Sequence, residues 1–174
     1  AQMTARALKN LALSYWARVT DEGLEQAQQQ FASADNMTDQ MAALIVMVNS
    51  GNEAVAAPAL TSFYQQWQTD PLVVNQWLSA QAGSSAMGTV EHVKYLLAHP
   101  AFDWRNPNKV RSVISIFANQ SLVNFHREDG AGYALLADAV IRLNSSNPQI
   151  ASRLLTPLTK WQRLVPTLSQ LMKA

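Results

Sequence analysis

The 174-residue sequence contains no cysteine, and only 14% of its residues are charged. Without cysteine the chain can form no disulfide bond and offers no thiolate to a metal, which fits a reducing compartment. No apolar run approaches the roughly 18 residues that a membrane-spanning helix needs. The opening AQMTARALKN also lacks the basic-then-apolar order of a secretory signal. We therefore expect a cytoplasmic protein without a membrane-spanning helix.

Motifs that carry catalytic chemistry are also missing from the sequence. It has no HExxH zinc helix, no GxSxG turn, no phosphate-binding Walker loop and no GxGxxG dinucleotide loop. His92 and His99 are seven residues apart and could share a helix face, but no acidic ligand supports them as a metal pair. The DGAG segment at 129–132 lacks the alternating carboxylates of a calcium loop and instead favours helix capping. We expect neither a catalytic residue nor a metal ligand within this chain.

What the sequence does contain is a folded, helical pattern. Hydrophobic residues make up 48% of it, which argues against disorder. No useful stretch alternates with period two, whereas apolar residues recur at helical spacing almost everywhere. This pattern predicts an all-α fold with about ten helices of roughly 10–16 residues, stacked as antiparallel pairs in an irregular ARM/HEAT-like solenoid. Both ends read as helix, so we expect residues 1–174 to be part of one helical-repeat domain that is truncated at both ends.

Local signals place several helix starts and stops. The sequence predicts a restart or kink at Pro58, and it predicts that His99-Pro100 ends a helix. Leu8, Leu11, Tyr15 and Trp16 recur at the spacing of an apolar helix face. The candidate N-caps are Thr20, Asn36, Asp70, Ser84 or Ser85, Asn106, Asp129 and Asn147, and three of them precede a proline.

Charge is distributed unevenly along the chain. Residues 1–104 contain four Lys/Arg and nine Asp/Glu, whereas residues 105–174 contain nine Lys/Arg and three Asp/Glu. A basic half can attract nucleic acid, a membrane surface or a ligand with a carboxylate. The basic residues are spread singly over several helices, so solvated helix faces are an equally good interpretation.

Four blocks carry a resemblance to a known family. They are ADNMTDQMAAL at 34–44, FDWRNPNKVRSVISIFA at 102–118, NFHREDGAGYALLAD at 124–138 and LNSSNPQIASRLLTPLTKW at 143–161. Together they resemble the C-terminal helical domain of bacterial aminopeptidase N, the alanyl-aminopeptidase type of zinc gluzincin. The resemblance covers nearly the whole chain. HExxH and the family's GxMxN motif are absent because both belong to its upstream catalytic domain.

The resemblance implies a bowl of helices that closes over the catalytic domain and limits which peptides enter the active-site chamber. It implies zinc in the parent enzyme but no cofactor in this segment. The implied partners are the catalytic domain of the same chain and peptide substrates, with no nucleic acid and no membrane. Arg111, Gln149 and Arg153 match positions that line the chamber near the downstream end of a bound peptide.

The residues themselves are compatible with this role. Val110, Val113, Ile114 and Phe117 form a predicted buried stripe, and Arg111 lies at its border. Gln149 and Arg153 are four residues apart and hence on one helix face. A guanidinium there could bind a carboxylate or a peptide carbonyl, although a structural ion pair would use the same residues.

The alternative interpretation is a free-standing helical-repeat scaffold whose basic half binds an acidic protein or nucleic acid.

Overall fold

A computed structural model describes the backbone of residues 2–173 and the side chains of residues 3–173. These residues form twelve α-helices, one π-helix and one 3-10 helix, with no strand among them, which confirms the all-α prediction. No helix in this part of the chain has both the length and the apolar character needed to cross a bilayer.

The chain divides into two compact units, Ala1–Asp70 and Pro71–Ala174. The helices of the first unit are α1 Gln2–Trp16, α2 Asp21–Ser33, α3 Met37–Asn49 and α4 Glu53–Trp67. Helix α3 packs against the other three, and the buried core of the unit includes Leu44 and Met47. Phe63 of α4 is fully buried and lies near Phe31 and Trp67, with ring centroids 6.4 Å away in both cases.

The second unit is built from shorter pieces. Its elements are α5 Pro71–Ala82, α6 Val90–Ala98, α7 Pro107–Val110, the π-helix Arg111–Ser115, α8 Ile116–Gln120, α9 Leu122–Phe125, α10 Ala131–Asn144, α11 Pro148–Leu154, the 3-10 helix Leu158–Arg163 and α12 Pro166–Lys173. Helix α5 packs against the π-helix and α8, while α10 packs against α9 and α11. The predicted helix length of 10–16 residues is therefore wrong for most of this unit.

Several predicted helix boundaries are confirmed by side-chain hydrogen bonds. Thr20 accepts from the Gly23 amide at 3.0 Å, and Asn36 accepts from the Asp39 amide at 3.0 Å. Each satisfies an amide that the first helical turn would otherwise leave without a partner. Helix α5 begins at Pro71, and α6 ends at Ala98 just before His99.

Two predicted caps are wrong in position. Helix α6 is capped by Thr89, whose hydroxyl accepts from the His92 amide at 3.1 Å, and not by Ser84 or Ser85. The hydroxyl of Ser84 instead accepts from the amides at 86 and 87, so it stabilises a turn before the helix. The N-cap of helix α10 is Gly130, with φ of +71°, and not Asp129. Asp129 precedes the cap by one residue, and its side chain accepts from the Ala131 amide.

The structure also decides two points that the sequence left open. Helix α4 runs through Pro58 without a restart; the proline removes the hydrogen bond to the Ala54 carbonyl, and both residues are exposed to water. The apolar residues of α1 recur at helical spacing as predicted, but Leu8 is 69% exposed and Tyr15 is 63% exposed, whereas Leu13 is buried. Among the described residues, α1 therefore leaves most of its apolar face uncovered.

Candidate functional site

The segment that begins at Asn106 starts a helix as predicted. The Asn106 side-chain oxygen accepts from the amide of Asn108 at 2.9 Å and from the amide of Lys109 at 3.4 Å. Pro107 occupies the first helical position, where its missing N–H removes no helical hydrogen bond. The predicted stripe of Val110, Val113, Ile114 and Phe117 is fully buried, which confirms that this segment belongs to the core of its unit.

The sequence did not predict the π-helix that follows. Arg111–Ser115 adopts the wider π conformation between α7 and α8. The Ser79 hydroxyl of α5 donates to the Ser112 carbonyl at 3.0 Å, and the Ser112 hydroxyl donates to the Lys109 carbonyl at 2.8 Å. π-Helical turns often occur at functional sites because they re-aim the side chains around them. Here the turn begins at Arg111, one of the three residues singled out by the resemblance.

Arg111 is exposed, and one of its guanidinium nitrogens donates to Asn108 Oδ1 at 2.6 Å. This contact anchors the side chain without neutralising its charge, because Asn108 is uncharged. Among the described residues, ion pairs are formed by Lys9, Arg105 and Arg127, and not by Arg111 or Arg153.

Gln149 and Arg153 lie on one exposed face of α11. Asn147 caps this helix by accepting from the Ile150 amide at 3.2 Å, and Pro148 follows at the first position. Ala151 and Leu154 are buried on the opposite face, so the packing fixes which way Gln149 and Arg153 point. The structure thus places two of the three candidate residues on the same helix face and Arg111 on the π-helix.

Two of the three histidines, His92 and His99, contact side chains of α5. His92 Nε2 lies 3.1 Å from Gln81 Oε1, and the His99 ring lies 5.2 Å from the Trp77 ring between centroids. Burial lowers the pKa of both histidines and so favours their neutral forms. In the part of the chain that the structure describes, no three His, Cys, Asp or Glu side chains are grouped to hold a metal ion.

The sequence analysis missed one feature of the second unit, a pocket between α8, α9, the 3-10 helix and α12. Its lining includes His126, Lys160 and Arg163. The only signal in the sequence is the spacing of three between Lys160 and Arg163. That spacing becomes informative only once the segment is known to be a 3-10 helix.

Comparison with known proteins gives consistent similarities. The chain is 40% identical over 168 residues to aminopeptidase N of Haemophilus influenzae, and this match covers 97% of the chain and 19% of the relative. It is 39% identical over 170 residues to aminopeptidase N of Caulobacter vibrioides, covering 97% of the chain and 20% of the relative. Aminopeptidase N of Escherichia coli is 42% identical over 135 residues, covering 77% of the chain and 15% of the relative.

A solved structure shares the fold. The chain superposes with a TM-score of 0.88 and 34% identity on Legionella pneumophila aminopeptidase A, whose crystal structure contains aspartic acid. This match covers 96% of the chain and 20% of the crystallised protein, so the chain spans about a fifth of the length of the relatives it matches. Residues 1–174 also match the family described as "Domain of unknown function (DUF3458_C) ARM repeats", which confirms the predicted helical-repeat fold class. The chain belongs to this family of ARM-repeat domains.

Proposed function

We propose that the chain is the non-catalytic C-terminal domain of a zinc-dependent aminopeptidase and that both of its units belong to this one domain. The observation that carries the proposal is similarity along 96–97% of the chain to aminopeptidases about five times as long. In this role the domain encloses the active-site chamber while the parent enzyme removes N-terminal amino acids. The comparisons favour this function over a free-standing scaffold because each relative reported above is an aminopeptidase.

Peptide positioning is assigned in this proposal to Arg111, Gln149 and Arg153. A peptide whose N-terminus is bound at a distant catalytic site leaves its downstream end, and for short peptides its carboxylate, to be bound elsewhere. The two guanidinium groups are exposed and have no carboxylate partner among the described residues, so they are available to such a ligand. Gln149 adds an uncharged donor and acceptor on the face of Arg153.

The proposed partner is the catalytic domain of the same polypeptide. Exposed apolar side chains at Leu8, Leu11 and Tyr15 follow one another at helical spacing on α1. A contiguous exposed apolar face is typical of an interaction surface, which supports packing of α1 against protein outside these residues. We assign no nucleic-acid or membrane partner, and we place the parent enzyme in the bacterial cytoplasm.

Zinc belongs in this proposal to the upstream catalytic domain. The described residues of this chain do not fit a zinc site, because they contain no cluster of three potential ligands. The contribution of this chain to the reaction is to bind and orient the substrate.

The experiment that tests this function compares substrates of different length in the full-length protein. Arg111→Ala or Arg153→Ala should lower kcat/KM for tri- and tetrapeptides by about ten- to hundredfold, since a charge-assisted hydrogen bond is worth about 1.5–3 kcal/mol. Aminoacyl-anilides are too short to reach these residues and should be cleaved at the wild-type rate. Arg105→Ala serves as the matched control, because Arg105 is also exposed but pairs locally with Asp103.

Three results would count against the proposal. Equal losses for peptides and anilides would indicate that the arginines stabilise the protein and do not contact the substrate. Unchanged kinetics with both substrate classes would remove Arg111 and Arg153 from the site. A full-length protein without any aminopeptidase activity would overturn the assignment itself.

A further inference from the structure

A pocket of about 210 Å³ opens in the second unit, lined by side chains from α8, α9, the 3-10 helix and α12. Its apolar lining includes Leu122, Phe125, Leu164 and Met172. Phe125 and Met172 are buried, so this part of the lining belongs to the core, whereas Leu122 is 52% exposed at the pocket's edge. Engineered apolar cavities of about 150 Å³ bind benzene, so this space is large enough for one aliphatic or aromatic side chain.

The charged side of the same pocket comes from the 3-10 helix. Lys160 and Arg163 both line the pocket and are three residues apart. A 3-10 helix has three residues per turn, so side chains at this spacing lie directly above one another on the same face. Neither residue forms a hydrogen bond through its side chain or an ion pair within the described chain, and no Asp or Glu is among the residues that line the pocket.

His126 provides a third polar group with a fixed orientation. Its Nδ1 lies 2.8 Å from the Tyr133 hydroxyl, and its ring lies near the rings of Phe125 and Tyr133, with centroid distances of 5.0 and 5.7 Å. If the tyrosine hydroxyl donates to Nδ1, the proton of the neutral ring is on Nε2. Nε2 has no hydrogen-bond partner among the described residues, so it can donate to a ligand oxygen.

We propose that this pocket binds the C-terminal residue of a peptide. The carboxylate would be bound by Lys160, Arg163 and His126, and the apolar side chain would lie against Phe125, Leu164 and Met172. A free amino acid fits less well, because the pocket lining offers no carboxylate to its ammonium group. Acylation of the α-nitrogen, as in any peptide, removes that charge.

This site is separate from the substrate-positioning residues proposed above. None of Arg111, Gln149 and Arg153 lines the pocket. The inference also does not require the aminopeptidase assignment, because it concerns binding by this chain alone and is tested without an activity measurement.

The test is a titration of the isotopically labelled 174-residue chain, followed by NMR chemical shifts of the backbone amides. The probe is N-acetyl-leucine. We expect saturable shifts confined to residues 118–126 and 157–172. N-Acetyl-leucinamide lacks the carboxylate, N-acetylglycine lacks the side chain, and free leucine carries the ammonium; each should bind at least tenfold more weakly.

Substitutions identify the groups that bind. Arg163→Gln and Lys160→Gln should each raise the Kd for N-acetyl-leucine by about ten- to hundredfold, the scale of one charge-assisted contact. Both residues are exposed, so these variants should fold normally. Lys94→Gln removes an exposed cation of the same unit that does not line the pocket, and it should leave the Kd unchanged.

Three outcomes would overturn the inference. The first is the absence of localised shifts at saturating probe. The second is equal binding of N-acetyl-leucine and N-acetyl-leucinamide, which would show that the cations do not contribute. The third is binding of inorganic phosphate as tight as that of N-acetyl-leucine, which would show that the pocket selects charge alone.

Discussion

The ammonium of Lys9 on α1 lies 2.6 Å from Oδ2 of Asp39 on α3. The Asp39 side chain is only 10% exposed, and its other oxygen accepts from the Asn10 side chain at 2.9 Å. The hydrogen bond from Lys9 is the main cause that lowers the pKa of Asp39 from 3.8 to about 2, and bonds from Asn10 and Asn36 add to it against the opposing effect of burial. This carboxylate therefore ties α1 to the first turn of α3.

A lowered pKa predicts that Asp39 stabilises the first unit above pH 3.8 and loses this effect as the pH falls towards 2. At pH 7, Asp39→Asn should lower the free energy of unfolding by about 2 kcal/mol. Urea denaturation at several pH values measures the free energy of unfolding of wild type and variant. Because the pKa values of Asp103 and Asp129 are also lowered, the contribution of Asp39 is the difference in that free energy between the two proteins.

Glu25→Gln is the matched control for Asp39→Asn. Glu25 is an exposed carboxylate of the same unit, and its replacement should change stability by less than about 0.5 kcal/mol. A difference between wild type and Asp39→Asn that stays constant from pH 7 to pH 2 would contradict the role of the Asp39 charge.

The two Asn-Pro helix starts predict a second set of stability changes. Asn106→Ala and Asn147→Ala each remove a side-chain oxygen that accepts from the first turn, and each should cost about 1 kcal/mol. Thermal denaturation should show a lower Tm for both variants. Asn144→Ala replaces an exposed asparagine at the end of α10 and should not lower the Tm; equal Tm values for all three variants would argue against the caps.

The close approach of the Phe125 backbone to Gly132 predicts that any side chain at position 132 destabilises the protein. A Cβ atom at this position would lie 2.2 Å from the Phe125 carbonyl oxygen, so α10 could not stay packed against α9. Gly132→Ala should cost about 3 kcal/mol, the upper range for overpacking. Gly51→Ala is the comparison: Gly51 has φ of +74° with open space around it, so only backbone strain of about 1–2 kcal/mol should result. Similar urea midpoints for wild type and Gly132→Ala would contradict this close packing.

The isolated 174-residue chain should fold without catalysing hydrolysis. Its far-ultraviolet circular dichroism should be that of a mainly helical protein, because all regular elements of the described residues are helices. With added zinc it should not cleave an aminoacyl-anilide, since it has no cluster of metal ligands in its described part. Cleavage that copurifies with the chain and is restored by zinc would contradict this expectation.

The exposed apolar face of α1 shows where the sequence pattern stops being informative. The spacing of Leu8, Leu11 and Tyr15 correctly predicted a helix with an apolar face. Whether that face is buried depends on which surface it meets, and among the described residues Leu8, Leu11 and Tyr15 stay largely exposed. Periodicity reports the secondary structure and a capacity for packing, but not the partner.

What the sequence determined by itself is local in origin. The caps at Thr20, Asn36, Asn106 and Asn147 follow from side chains that bond to amides two or three residues away, so they require no distant contact. The buried stripe from Val110 to Phe117 follows from helical periodicity in the same way. The exposed face shared by Gln149 and Arg153 required only their spacing of four residues.

The tertiary structure decided the features that depend on distant residues. The π-helix at Arg111 has its Ser112 carbonyl bonded by Ser79, 33 residues earlier in the chain. The hydroxyl of Ser121 donates to the carbonyls of Ser84 and Gly88, which helps to fix the loop whose helix start the sequence misplaced. The pocket around His126 is lined by side chains from α8, α9, the 3-10 helix and α12, so it forms only when these separate segments meet. Such contacts lie beyond sequence patterns because their free energy depends on which segments meet in space.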